Sequence, residues 1–258
     1  MKIFVISLVT AADRRSSVTA QFRDIGLPFE FFDAVDGSNG LDGYFDGIDE
    51  RTYRLNTYRD PLPGELGCYA SHLALWQRAV DLDEPIVILE DDCKIEHNFL
   101  DALSAVARVI QEFGFIRLQG FSRATPLKSV QPSHFVAQID SFGIHYLSNV
   151  PLCLLAYAVS PASARQLVKS SIRIKAPVDK FVQRTWEHGT PIFAMSPECV
   201  TTSDLAAATT IGSRKTRKKN KVGLAFRRAH YKLKGEIERR RFDKQQLELL
   251  SARQQLSE

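Results

Sequence analysis

Apolar positions along the chain recur at two spacings, and their alternation sets out the elements. Lys2 to Val9 is a short apolar run of strand length. Asp13 to Ile25 then places Val18, Phe22 and Ile25 at helical spacing, with Arg14, Arg15 and Arg23 outside the stripe. Gly26 ends that helix. Phe29 to Phe32 predicts a second short strand, followed by Asp33-Ala34-Val35-Asp36-Gly37. A strand–helix–strand start is the opening of a nucleotide-binding α/β unit. No G-x-G-x-x-G or P-loop accompanies it, so a dinucleotide or ATP reading has no motif support.

Residues 38–63 show little periodicity and predict a long loop with a short helix, the kind of segment that often serves as a lid. From Gly64 the pattern is helical, with Leu66, Tyr69, Leu73, Trp76 and Val80 on one face and Ser71 and His72 beside it. A histidine next to a core stripe is more often structural than catalytic. Phe99 to Phe113 predicts an amphipathic helix and Phe115 to Gln119 a strand. Residues 121–134 read as a loop, then Phe135 to Ile139 and Leu154 to Val159 as strands. Ser160 and Pro161 supply an N-cap and an N1 proline for a helix over Ala162 to Ser171. Pro177-Val178-Asp179 starts another, to about His188, with Asp179 in its first turn. Ile192 to Met195 is expected to be the last strand, and Thr201 to Asp204 a polar loop.

One stretch organises the rest. Ile86 to Leu89 is apolar on both faces, as in a buried strand, and ends abruptly in Glu90, Asp91 and Asp92. In open α/β sheets ligands bind beyond the carboxyl ends of such strands. Three adjacent carboxylates repel one another unless a cation sits between them. Oxygen ligands suit Mg²⁺ or Mn²⁺, which commonly also takes phosphate oxygens. The competing reading is that Asp91 or Asp92 caps the next helix.

Charge changes the picture at the far end. Residues 214–241 carry thirteen Lys and Arg against two Glu, a net of +11. The whole chain is only +4, so residues 1–213 are acidic. Val222, Phe226, Ala229, Leu233 and Ile237 recur at helical spacing within the basic stretch. A basic amphipathic helix suits an anionic membrane surface. Nucleic-acid binding is the alternative, but Phe226 and Tyr231 make no stacking array. With 258 residues, 44% of them hydrophobic, the chain can bury a full core. It has no apolar run of membrane-spanning length, and its first residues are too short an apolar run for a secretory signal. Cys68, Cys93, Cys153 and Cys199 form no C-x-x-C pair, which fits buried thiols in a reducing cytosol.

Seven stretches, in order, resemble glycosyltransferase family 25, the lipooligosaccharide-biosynthesis glycosyltransferases of Gram-negative bacteria. They are Val5-Ile6-Ser7-Leu8 with Arg14-Arg15, Asp33 to Gly37, Gly64 to His72, Leu89 to Asp92, Ala156 to Ser160, Pro177-Val178-Asp179 and Ser203-Asp204. The resemblance covers roughly residues 1–210 and implies a catalytic domain over 1–212; the basic helical tail over 213–258 lies outside it. It implies an α/β, GT-A-like, single Rossmann-type domain whose mixed, mostly parallel sheet is flanked by helices. It implies inverting transfer of a hexose, galactose favoured and glucose next, from a UDP-sugar to a lipooligosaccharide or lipopolysaccharide acceptor. Glu90-Asp91-Asp92 stands where such enzymes carry a D-x-D metal motif, so Mn²⁺ or Mg²⁺ falls to Asp92, or to Glu90 with Asp92. The resemblance places Ser7, Leu8, Arg14, Asp33, Asp36, Glu90, Asp91, Ser203 and Asp204 around the nucleotide sugar. It assigns the base to Asp179, with Asp204 and Glu65 as alternatives. It implies a cytoplasmic protein peripheral at the inner membrane, and the charge pattern, outside the resemblance, puts the basic tail on the anionic leaflet. An inactive scaffold of the same fold is the other class.

Overall fold

The computed structural model describes residues 1–121, 134–207 and 221–257. In chain order the elements are β1 (Lys2–Ser7), α1 (Ala12–Ile25), β2 (Glu30–Asp33), β3 (Gly47–Ile48), α2 (Glu50–Thr57), α3 (Pro63–Leu82), β4 (Ile86–Glu90), β5 (Cys93–Ile95), α4 (Phe99–Phe113) and β6 (Phe115–Arg117). They continue with β7 (His134–Ile139), β8 (Phe142–Tyr146), β9 (Ala156–Val159), α5 (Pro161–Ser170), β10 (Arg173–Ile174), α6 (Val178–Gln183), α7 (Thr185–His188), β11 (Phe193–Ser196), β12 (Val200–Thr202), a 3₁₀ turn at Asp204–Ala207 and α8 (Lys221–Ser257).

Eight strands form one sheet in the order β2-β1-β4-β9-β6-β11-β8-β7. The sheet is mixed, as expected, but its parallel share is smaller: three of its seven pairings are parallel. The reason is that β9 and β8 each run against both neighbours, and each reversed strand makes two antiparallel pairings. Side chains alternate across the sheet. Ile3, Val5, Val87 and Leu89 face one core with Phe22 of α1 and Val106 and Ile110 of α4. Phe4, Ile6, Ile86 and Ile88 face the other, with Trp76 of α3 and Leu167 of α5. Each such side chain contributes about 1.5–3 kcal/mol when fully buried, which explains a β4 that is apolar on both faces.

Local signals hold where they carry a backbone reason. Gly26 adopts φ 67° and closes α1. Ser160 caps α5 by accepting from the Ser163 N–H, ahead of an N-terminal proline. Five expectations need correcting. The segment 38–63 holds β3 as well as α2. Strand β8 has no counterpart in the apolar pattern, because Gly143 and His145 interrupt its run. The helix from Pro177 is two, because Arg184 leaves helical geometry at ψ 59° between α6 and α7. Ile192 to Met195 is not the last strand. Val200–Thr202 pairs antiparallel with β5, so half of the expected polar loop is β12. The loop expected over 121–134 and the boundary expected at 213 lie largely outside the described residues.

The C-terminal helix α8 runs 37 residues and lies against α2 and α7. The Arg228 guanidinium stacks on the Tyr58 ring, and Arg184 lies between the rings of Trp186 and Tyr231. Tyr146 donates to Asp243 at 2.7 Å, and Leu247 and Leu250 join the first core. The expected apolar stripe points elsewhere. Phe226 is 79% exposed, Leu233 62% and Ile237 45%. At about 100° per residue, Phe226 and Leu233 sit about 200° around the helix from the packed Arg228 and Gly235. No helix among the described residues is long and apolar enough to cross a membrane.

Candidate active site

Strands β2, β1 and β4 run parallel and end side by side. Ser7 is in register with Asp33, and Ile6 with Glu90. Beyond these ends opens a cleft of about 380 Å³, reached by Ser7, Leu8, Arg14, Asp36, Glu90, Asp91 and Asp92. Its opposite wall is the start of α3, Leu62 to Gly64, with Cys68 and Ser71. Two glycines set that wall. A Cβ on Gly37 would lie 1.9 Å from the Pro63 carbonyl oxygen, and one on Gly67 would lie 2.3 Å from that of Val35. Only glycine lets the loop after β2 lie this close to α3. Ser71 fixes the contact, accepting from the Val35 N–H at 2.8 Å and donating to the Gly67 carbonyl.

The three acids have three different environments. Asp91 is buried and saturated: Ser7 Oγ donates to one oxygen and Arg14 Nη1 to the other, both at 2.7 Å. Asp92 has a buried oxygen, Oδ1, that meets no hydrogen-bond partner among the described residues. Burial, then the neighbouring Glu90 charge, push its pKa up to about 6, against the pull of Arg14. Glu90 is partly exposed to the cleft and meets His72 Nε2 at 3.2 Å. A buried carboxylate oxygen with no donor, flanked by a second, partly exposed acid, is a site that a hard divalent cation satisfies. Asp92 and Glu90 fit that group; Asp91 is already neutralised by Arg14.

Behind Glu90 lies a buried polar row. His72 Nδ1 meets the Tyr157 hydroxyl at 2.8 Å, and the Trp76 indole N–H donates to the same oxygen at 2.9 Å. Ligand atoms of Cys68, His72 and Glu90 lie within 4.8 Å of one another. Burial, then Glu90, Asp179, Asp92 and Glu65, hold the Cys68 thiol well above its ordinary pKa.

Asp179 is in the first turn of α6, outside the residues that line the cleft. Burial raises its pKa, a backbone N–H bond from Lys180 lowers it, and Glu90 and Glu65 raise it further. Glu65 is engaged: Tyr53 donates to it at 2.9 Å, and Arg59 grips both its oxygens. Burial raises its pKa, but the Arg59 and Tyr53 bonds prevail and hold it below the usual range. A carboxylate so occupied is a poor proton acceptor, so the alternative base at Glu65 loses support. Asp33 is set aside from the cleft in an ion pair with Arg15 at 2.5 Å. Both Asp36 oxygens accept from its own loop, from the Ser38 N–H and the Asn39 amide. Ser203 and Asp204 do not line the cleft, yet pairing of β12 with β5 brings them beside the acids: the Ser203 N–H donates to the Asp92 carbonyl at 2.8 Å.

Two features escaped the sequence reading. Arg117, fully buried, donates to the carbonyls of Gly120, Pro151 and Cys153, and so shapes the turn before β9 next to Glu90. Burial lowers its pKa to about 10. An arginine in an apolar strand was the available signal. The row through Tyr157 was hidden because its members lie 81 and 85 residues apart.

The model of glycosyltransferase family 25 (LPS biosynthesis protein) matches residues 1–182. This chain belongs to that family. A relative in Homo sapiens, the inactive glycosyltransferase 25 family member 3, is 30% identical over 193 residues, covering 70% of this chain and 31% of its own. The lacto-N-neotetraose biosynthesis glycosyltransferase LgtB of Neisseria gonorrhoeae is 38% identical over 93 residues, 36% of this chain and 32% of its own. The chain thus spans about a third of the length of these curated relatives. The catalytic domain of Drosophila β1,4-galactosyltransferase 7, solved with xylobiose, covers 87% of this chain and 82% of its own at 11% identity, with a TM-score of 0.40. That likeness is remote.

Proposed function

We propose that this family 25 member is an inverting, GT-A-like glycosyltransferase that moves a hexose, galactose first and glucose next, from a UDP-sugar to a lipooligosaccharide acceptor. The observation that carries the reading is the unpartnered buried oxygen of Asp92 beside Glu90, at the carboxyl ends of parallel strands. Asp92 and Glu90 would hold Mn²⁺ or Mg²⁺, which when bound neutralises charge on the departing diphosphate. Arg14 and Ser7 fix Asp91 and thereby the turn that presents Asp92. The loop at Asp36 and Gly37 closes one side against the donor. Asp179 takes the proton from the acceptor hydroxyl as that oxygen bonds to the anomeric carbon. The bond from that carbon to the diphosphate oxygen breaks with its electron pair on UDP. A raised pKa suits a carboxylate to this task.

A screen of UDP-Gal, UDP-Glc, UDP-GlcNAc and UDP-GalNAc against a lipooligosaccharide-type oligosaccharide, with and without Mn²⁺, tests this. Transfer from one donor, lost in EDTA, is the expected result; no transfer from any would overturn it. The second reading, an inactive scaffold, is favoured by the name of the human relative. It predicts no transfer and no UDP release.

For location, the reading is a cytoplasmic protein held at the inner membrane of a Gram-negative bacterium by α8. What supports it is the exposed stripe of Phe226, Leu233 and Ile237, flanked by exposed Arg227, Lys232, Lys234 and Arg241. Cationic side chains around an apolar stripe match an anionic lipid surface.

A further inference from the structure

Trp76, Tyr157, His72 and Glu90 form one chain in which every hydrogen runs the same way. An indole can only donate, and Trp76 Nε1 donates to the Tyr157 oxygen at 2.9 Å. The phenol has a single hydrogen. Among the described residues its only other partner is His72 Nδ1, at 2.8 Å. Trp76, Tyr157 and His72 are all fully buried, so water does not take that hydrogen. Left without an acceptor it would be a buried unsatisfied donor, and so it goes to Nδ1. The ring then carries its own hydrogen on Nε2, which faces Glu90 Oε1 at 3.2 Å and is donated to that carboxylate. The same deduction removes His72 as a ligand in the trio with Cys68, because its cleft-side nitrogen bears a hydrogen and not a lone pair.

We propose that His72 is a positioning residue: through this fixed hydrogen bond it holds the Glu90 carboxylate in the orientation that meets the cation of the donor complex. The proposal rests on the reading of the cleft as a nucleotide-sugar site. Glu90 is the last residue of β4, its side chain is 28% exposed, and a glutamate there has three rotatable bonds to fix. His72 comes from a different element, α3, and stacks on Tyr157, which stacks on Phe115. The donor therefore sits on a rigid aromatic base, not on the strand that it serves. Groups that orient a metal ligand in this way typically matter about 10- to 100-fold for metal affinity or activity, and the lower part of that range is expected here.

Two isosteres separate the roles. His72→Gln places an amide N–H near the Nε2 position and keeps a donor for Glu90. His72→Asn is too short to reach Glu90 but leaves an acceptor for Tyr157. Mn²⁺ binding in the presence of UDP, read from the electron-paramagnetic signal of free Mn²⁺, is measured beside melting temperature and transfer kinetics. Both variants should melt lower than wild type. The Asn variant should bind Mn²⁺ about tenfold more weakly, while the Gln variant retains most of the affinity. Equal Mn²⁺ affinity in the folded Asn variant, or equal losses in both, overturns the proposal. If neither variant folds, Tyr157→Phe decides. It removes the hydroxyl that anchors the imidazole at Nδ1 without touching the cleft, so its Mn²⁺ affinity should fall, and an unchanged affinity overturns the proposal. Wild-type protein that binds no Mn²⁺ with UDP overturns the donor-site reading and this inference together. Wild-type binding with an unaffected Asn variant overturns this inference alone.

Discussion

Arg14 reaches across from α1 to Asp91, Nη1 to Oδ1 at 2.7 Å, and so divides the acidic triplet by role. On the proposed reading the middle acid is structural, and the outer two hold the cation. Asp91→Asn should therefore lower stability by about 1.5–3 kcal/mol, the range for hydrogen bonds to a charged group. Asp92→Asn should behave in the opposite way. It removes a buried charge that has an unpartnered oxygen, so the melting temperature should hold or rise while metal-dependent transfer is abolished. Thermal melts and transfer assays of the two variants check this. Transfer by Asp92→Asn at the wild-type rate, or full native activity in EDTA, would sink the metal assignment.

Asp179→Asn should lower turnover by about two to four orders of magnitude, the range for lost general-base assistance. UDP affinity should change little, since Asp179 lies outside the cleft lining. Near-normal turnover with a lower melting temperature would instead make Asp179 a helix-start residue. Loss of UDP affinity with turnover kept at saturating donor would move it to the nucleotide side.

His188 predicts an acid sensitivity unrelated to catalysis. The Thr190 N–H donates to its Nδ1, and Nε2 meets the Val182 carbonyl at 3.1 Å. Burial lowers its pKa from 6.5 to about 4, although the Val182 bond and Glu187 act to raise it. Between those values the unfolded chain binds a proton that the folded one does not. The stabilisation is thus fully present above pH 6.5 and is lost as pH falls towards 4, by at most about 3 kcal/mol. Urea midpoints of wild type and His188→Gln across that window should diverge, with the wild type losing more. Parallel curves would refute the assignment.

Much of this was legible because it is written in local patterns. β4 announced itself by an apolar run, α5 by Ser160 and Pro161, and α1 by its stripe and Gly26. What stayed hidden depends on contacts between distant segments. Nothing near Asp91 says that Arg14, 77 residues earlier, pairs with it. Glu65 stood as an alternative to Asp179 in the sequence, but Arg59 and Tyr53 occupy it. His72 beside a core stripe read as structural, and only Tyr157 and Trp76 reveal which way its hydrogen points. The order of strands escaped too, because β9 and β8 run against their neighbours for reasons of tertiary packing that no periodicity carries.

The last prediction concerns α8. The sequence suggests removing the chain from Ser213 as the test of membrane binding, but the structure makes that deletion unclean. It would strip Leu247 and Leu250 from the core and leave the Tyr146 hydroxyl without Asp243. Substituting the outward stripe is the sharper experiment. Phe226→Ser, Leu233→Ser and Ile237→Ser together leave Arg228, Tyr231 and Asp243 on the packed face. Each Lys or Arg near an anionic leaflet contributes on the order of 1 kcal/mol, and the apolar stripe adds insertion. The triple variant should keep its melting temperature and its transfer to a soluble oligosaccharide, and should co-sediment much less with anionic liposomes. Binding of the intact protein should weaken as salt rises, because the attraction between exposed charges and lipid is screened. If intact protein ignores anionic liposomes at low salt, the stripe serves another partner and the membrane assignment falls.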